Sequence, residues 1–203
     1  LETYTIHPFA YGMTWDDEYL WSGDKFGNIY AYNPDGTAAG YSFSTPYAGN
    51  NSLAWDGEYF LVNFILENDP KIYRVDETGE VIEKYTSELG NRSVWQSYWA
   101  PEHYTGNLWI TNNNGIIAQM KLDEGHFSMV NQFDAPFNIS YALTHDHTDL
   151  WYGKVGGTLY RIDDGMDELN WLTIHPDKAT IPGTSFLDID LTFDASEFDL
   201  GSY

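Results

Sequence analysis

The residues with the most chemical potential sit in one short run, His145-Asp146-His147-Thr148-Asp149. A His-x-His pair on one face of a strand can share a metal ion, and a histidine beside an aspartate can move a proton. Carboxylates also recur at Asp16, Asp17, Asp56 and Asp146. Paired carboxylates bind calcium or act as acid and base. No Asp-x-Asp-x-Asp-Gly loop is present, however, and Asp-Asp and Asp-Gly favour tight hairpin turns, so turn chemistry is the preferred reading. Tryptophan and tyrosine faces can stack on sugars or fill a core. Trp95, Tyr98, Trp99 and Tyr104 lie around an irregular insertion spanning 96–106, where a binding surface is expected because loops on rigid scaffolds carry function. Gly-x-Ser-x-Gly and Gly-rich phosphate loops are missing, and there is no cysteine to serve as nucleophile or metal ligand. No catalytic, cofactor or metal residue is therefore assigned, and a divalent cation such as calcium is the one cofactor left open. The binding candidates are Trp95, Tyr98, Trp99, Tyr104, His145 and His147.

These residues are positioned by a repeat. Gly12-Met13-Thr14-Trp15-Asp16-Asp17-Glu18-Tyr19 is echoed by Ser52-Leu53-Ala54-Trp55-Asp56-Gly57-Glu58-Tyr59. Spacing puts a third copy at Trp95 and a fourth at His145, with histidine in the tryptophan slot. That slot and the turn after it account for every position of the His145–Asp149 run. After each opening come two more strands, a polar turn such as Asn33-Pro34-Asp35-Gly36, and a fourth strand. The strands are rich in Tyr, Trp, Ile and Val, and no window has a sustained helical period. Four short strands in about forty residues is the size of one propeller blade. The expected fold is all-β: a β-propeller of about four or five four-stranded blades, near 8–46, 50–89, 90–136 and 137–176.

Composition narrows the partners. The chain has 203 residues, 31 acidic against 9 basic side chains, and a formal charge of -22. Such a surface repels phosphate backbones and anionic membranes, so nucleic acid is excluded. No apolar run is long enough for membrane insertion by a helix. Acidic disordered chains lack aromatics, but 17% of these residues are aromatic, so the chain folds. Few lysines and many aspartates suit a salty extracellular setting.

The Ala54-Trp55-Asp56-Gly57-Glu58-Tyr59 opening with the Lys71-Ile72-Tyr73-Arg74-Val75-Asp76 strand resembles the propeller repeats of secreted bacterial proteins, both streptogramin-lyase-like and glutamine-cyclotransferase-like. After Ile174 the pattern changes. Trp171-Leu172-Thr173-Ile174-His175-Pro176, a Pro182-Gly183 turn and the alternating Leu187–Ala195 strand resemble the start of a bacterial immunoglobulin-like surface repeat. The segment 177–203 is thus expected to hold partial immunoglobulin-like or closing strands, and the chain to be a piece of something longer. The lack of a nucleophile motif, a metal constellation and a cofactor fingerprint, beside an unfinished immunoglobulin-like sandwich that wants strands from elsewhere, points to a non-enzymatic extracellular or cell-surface module. It would act in attachment or self-assembly, with other protein chains, copies of itself included, as partners. A propeller enzyme like the streptogramin lyases or glutamine cyclotransferases is the alternative, with His145 and His147 as its acid–base candidates. A carbohydrate-binding module is the third reading.

Overall fold

The computed structural model describes residues 6–8, 10–46, 48, 50–64, 72–88, 94–101, 103, 105–112, 114–136, 140–146, 148–154, 157–164, 172–175, 183 and 188–193. Among the described residues there is no helix, and the chain divides into two units, Leu1–Asp164 and Gly165–Tyr203.

The first unit is a succession of antiparallel meanders. β1 (Ala10–Trp15), β2 (Leu20–Asp24), β3 (Asn28–Tyr32) and β4 (Ala38–Ser44) form a four-stranded sheet in chain order. β5 (Asn50–Trp55), β6 (Phe60–Phe64), β7 (Ile72–Val75) and β8 (Val81–Ser87) repeat it. So do β9 (Val94–Trp99), β10 (Leu108–Asn112), β11 (Ile116–Asp123) and β12 (His126–Asp134). The second and third meanders join at their outer edges, where Thr86 and Ser87 pair in parallel with His126 and Phe127. The resulting eight-stranded sheet runs outward from β5 and back to β9, and its two ends lie beside each other, nearly closing it. β13 (Ser140–His145), β14 (Leu150–Lys154) and β15 (Thr158–Ile162) form a three-stranded sheet. The inner strands are neighbours in sequence order: β1 beside β5, β5 beside β9, and β9 beside β13.

Burial follows from the two-residue period of a strand, which sends alternate side chains to opposite faces. From the second meander, Phe60, Val62, Tyr73 and Val75 meet Trp21, Ile29, Ala31 and Phe43 of the first. Leu61, Ile72 and Tyr85 face the other way, onto Val94, Leu108, Ile110, Met120 and Phe127 of the third. The third in turn sends Trp109 and Ile117 onto Leu143, Leu150 and Tyr152 of the fourth. Each middle meander is therefore buried on both faces by its neighbours, which is the propeller-like arrangement the repeat predicts.

All four inner strands carry a register shift near their starts, at Ala10/Gly12, Asn50/Ser52, Val94/Gln96 and Ser140/Ala142. Such bulges increase local twist and re-aim the strand. Close approach follows. A Cβ on Gly12 would sit 2.7 Å from the Leu53 nitrogen, so only glycine fits there. Gln96 Nε2 donates to the Tyr11 carbonyl at 2.9 Å, tying β9 to β1.

Two expectations change. Among the described residues the fourth sheet has three strands; β16 (Leu172–His175), inside the 137–176 span expected for the fourth blade, pairs with β17 (Asp190–Phe193) in the second unit. The two compact units divide after Asp164. Finally, the insertion spans Ala100–Asn107, because residues 96–99 belong to β9.

Candidate functional site

The strand registers realign the repeat. Trp15 pairs with Leu20, Trp55 with Phe60, Trp99 with Leu108 and His145 with Leu150, each closing the hairpin between the first and second strands. The third copy of the tryptophan slot is therefore Trp99, not Trp95, which sits at the bulge. Insertion of Ala100–Asn107 lengthens that hairpin, so the spacing that links Trp15 to Trp55 misleads in the third copy.

Trp15, Trp55 and Trp99 line a depression of ≈ 620 Å³ at the ends of the inner strands, together with Tyr11, Met13 and Tyr98. Trp15 is 45% exposed, whereas Trp21 and Trp109, between the meanders, are 3% and 0% exposed. The depression thus exposes Trp15, while Trp55 and Trp99 line it half-buried, each packed in part on a core between meanders. Its charged lining residues, among the described residues, are Asp16, Asp17 and Asp56.

Two of these aspartates also build the turns. Asp16 Oδ1 accepts from the Glu18 and Tyr19 amides, and Asp56 Oδ1 from those of Glu58 and Tyr59. Asp146 repeats the pattern with Thr148 and Asp149. The second oxygens differ. Those of Asp16 and Asp146 take the indole N–H of Trp21 and Trp151, each at 2.6 Å, and that of Asp56 pairs with Arg74 at 2.7 Å. The backbone and indole donors hold the Asp146 carboxyl down at about 2. Asp17 follows at φ 77°, the left-handed conformation that its counterpart Gly57 takes at φ 98°. Its side chain is exposed and lines the depression.

At the fourth slot the chemistry changes. His145 is buried, and its Nε2 lies 2.8 Å from Asp164 Oδ2. His103 Nε2 lies 3.5 Å from the same oxygen. His103 comes from the inserted hairpin loop, which folds back through His103 N to Ala100 O and Gly106 N to His103 O. Gln119 Nε2 donates to the Gly106 carbonyl and holds the loop down. A buried carboxylate needs donors, and the His145 imidazole supplies one at hydrogen-bond distance, with His103 Nε2 in looser electrostatic contact. Tyr98 stacks 6.3 Å from the His145 ring and also lines the depression, standing between the two sites.

Two imidazoles and a carboxylate whose ligand atoms lie within 4.8 Å are a donor set for zinc or a similar transition metal, and too poor in oxygen for calcium. The protons argue against that use. Trp109 Nε1 donates to His103 Nδ1 at 3.1 Å, and an indole nitrogen only donates. His103 therefore keeps its lone pair on Nδ1 and its proton on Nε2, the atom facing Asp164. Metal-bound histidines do the reverse, donating their outer N–H to an acceptor. With that tautomer the cluster is a clasp, a carboxylate held by His145 and faced by the His103 N–H from 3.5 Å.

Of the residues singled out in the sequence, Tyr98 and Trp99 reach the depression and His145 the buried clasp. Trp95 lies in β9 outside the depression's lining, and Tyr104 and His147 lie outside the described residues. Sequence reasoning leaves Trp15 and Trp55 between sugar stacking and core filling; the structure exposes Trp15 and half-buries Trp55 against the core of the first two meanders. His103 was missed because no repeat marks it, and Asp164 because Asp163-Asp164-Gly165 reads as an ordinary turn.

No protein-family model matches the sequence, and no curated protein matches it. Among solved structures, the crystal structure of Myxococcus xanthus glutaminyl cyclase is similar, with a TM-score of 0.59 at 12% identity. The match covers 76% of this chain and 66% of that one. At that identity the likeness concerns the fold alone, and it is propeller-like.

Proposed function

We propose that this chain is a non-enzymatic binding module whose ligand sits in the Trp15–Trp55–Trp99 depression. One observation carries the reading. Trp15 is open to solvent in a concave site that the half-buried Trp55, Trp99 and Tyr98 also line, while the cluster best equipped for proton chemistry is buried apart from it behind Tyr98. Concave, largely aromatic sites with a few polar groups are where small ligands bind. The acidic, lysine-poor composition supports an extracellular or cell-surface setting. The alternation of Leu187, Ile189, Leu191 and Phe193 supports an immunoglobulin-like tail through which other chains, copies of this one included, would attach. Four or five blades is the ring size the repeat supports.

The test is a tryptophan-fluorescence titration with neutral oligosaccharides, organic ammonium compounds and carboxylates. At least one class quenches or shifts the emission of the wild type and fails to do so in Trp15→Ala. Silence of all three classes overturns the reading.

A second reading, an enzyme, is favoured by the fold shared with a glutaminyl cyclase and by the carboxylates at the depression. Incubation with a glutaminyl peptide, followed by mass spectrometry, decides it. A cyclised product that disappears in Asp17→Asn would replace the non-enzymatic account.

A further inference from the structure

We infer that the ligand of the depression is an organic cation, a compound carrying an alkylammonium group; this rests on the binding role proposed above. The first ground is charge. Among the described lining residues Asp16, Asp17 and Asp56 are the charged ones, and no lysine or arginine lines the site. Asp56 is matched by Arg74. Asp16 is held by two backbone amides and an indole N–H, all neutral donors, so its negative charge stands against the depression. Asp17 adds a second carboxylate on the exposed side of the same turn. The whole chain, at -22, reinforces this field.

The second ground is the wall itself. Trp15, Trp55, Trp99, Tyr11 and Tyr98 present five aromatic side chains to one cavity. The negative face of an indole attracts a cation, most strongly when the cation is poorly hydrated. An alkylammonium group meets both demands: its charge answers the aspartates and its methyl or methylene surface packs on the rings. An anion meets neither. A bare metal ion needs an array of free oxygens, and both oxygens of Asp16 and of Asp56 are already accepting hydrogen bonds. A neutral sugar could stack on the rings but gains nothing from the field.

The experiment uses a matched set of probes on the full chain, read by calorimetry and tryptophan fluorescence. The probes are choline, its uncharged isostere with a tert-butyl group in place of trimethylammonium, and a neutral trisaccharide. Choline is expected to bind about tenfold or more tighter than the isostere. Its Kd should rise with added salt as screening grows. Trp15→Ala and Asp17→Asn should each weaken choline several-fold while leaving the thermal midpoint in place. Equal affinity for choline and isostere, preference for the trisaccharide, or choline binding untouched by both substitutions overturns the cation inference and leaves a binding module standing. Silence of all three probes overturns the inference and counts against the binding role as well.

Discussion

Four inner strands end at equivalent positions, and their last residues have opposite fates. Trp15, Trp55 and Trp99 line the open depression, while His145 turns into the buried clasp with Asp164 and His103. The turns of the first, second and fourth copies share the same aspartate-capped form, so the turn does not set the fate of the slot. Between the third and fourth meanders the longer Ala100–Asn107 loop brings an imidazole into the interface, and Asp164 follows β15 into the same space. A histidine at the fourth slot satisfies that carboxylate; a tryptophan would fill the space and satisfy it less well, through a single donor of different reach. One scaffold position thus serves recognition on one side and stability on the other.

This contrast can be broken most forcefully at Trp109. It is fully buried between the third and fourth meanders and also donates to His103. Trp109→Ala is expected to cost about 3–5 kcal/mol of stability, measured by urea denaturation. A loss below about 1 kcal/mol would mean that the clasp does not depend on the indole.

His145→Trp makes the fourth slot resemble the other three. It removes the 2.8 Å donor from a buried carboxylate and is expected to cost about 2–3 kcal/mol. Restoring stability by the added change Asp164→Asn would sharpen the point, since the amide no longer carries a charge. An unchanged urea midpoint for His145→Trp would erase the distinction between the two regions.

Gly12→Ala probes the crowded base of the inner strands. The new methyl would meet the Leu53 nitrogen at 2.7 Å, which backbone cannot evade cheaply, and about 1–3 kcal/mol should be lost. The same change at Gly57, where nothing lies within 4 Å of the added Cβ, costs only its positive φ. If both glycines tolerate alanine equally, the close approach of β1 to β5 is wrong.

The smallest effect concerns pH. Asp146 is held at about 2, and hydrogen bonds from Asn28 and Phe26 pull Asp24 below its ordinary value despite its burial. Side-chain and backbone donors of Thr78 lower Asp76 likewise. A carboxyl lowered by folding contributes stability above its unfolded value of 3.8, and that stability is lost as pH falls through the folded value. The urea midpoint should therefore drop between pH of about 4 and about 2. Asp146→Asn should flatten part of that drop; an identical slope would show that its turn contributes nothing.

Much of the fold was legible because the repeat is local. The Trp15/Trp55 copies, the polar turns and the strand-rich composition require no knowledge of distant contacts. The third copy was misaligned at Trp95 because an insertion changes the spacing, and only the pairing of Trp99 with Leu108 reveals the slot. Leu172–His175 falls by period inside the fourth repeat, yet its partner is β17, a choice made by tertiary pairing that period alone does not encode. At the site, Tyr98 and Trp99 stand out in the sequence as aromatics around the insertion, and the structure half-buries both. The clasp was half visible: His145 stood out, but its partners come from a loop and a turn far away in sequence.

Recognition at Trp15 and support at His145 are separate in this molecule, and one paired measurement tests that directly. Trp15→Ala and His145→Gln are compared in parallel for choline affinity and for urea midpoint. Trp15→Ala should lose affinity several-fold and keep its midpoint, while His145→Gln should lose midpoint and, where folded, keep its affinity. The reverse pattern, or both properties falling together in each variant, would contradict the division of roles.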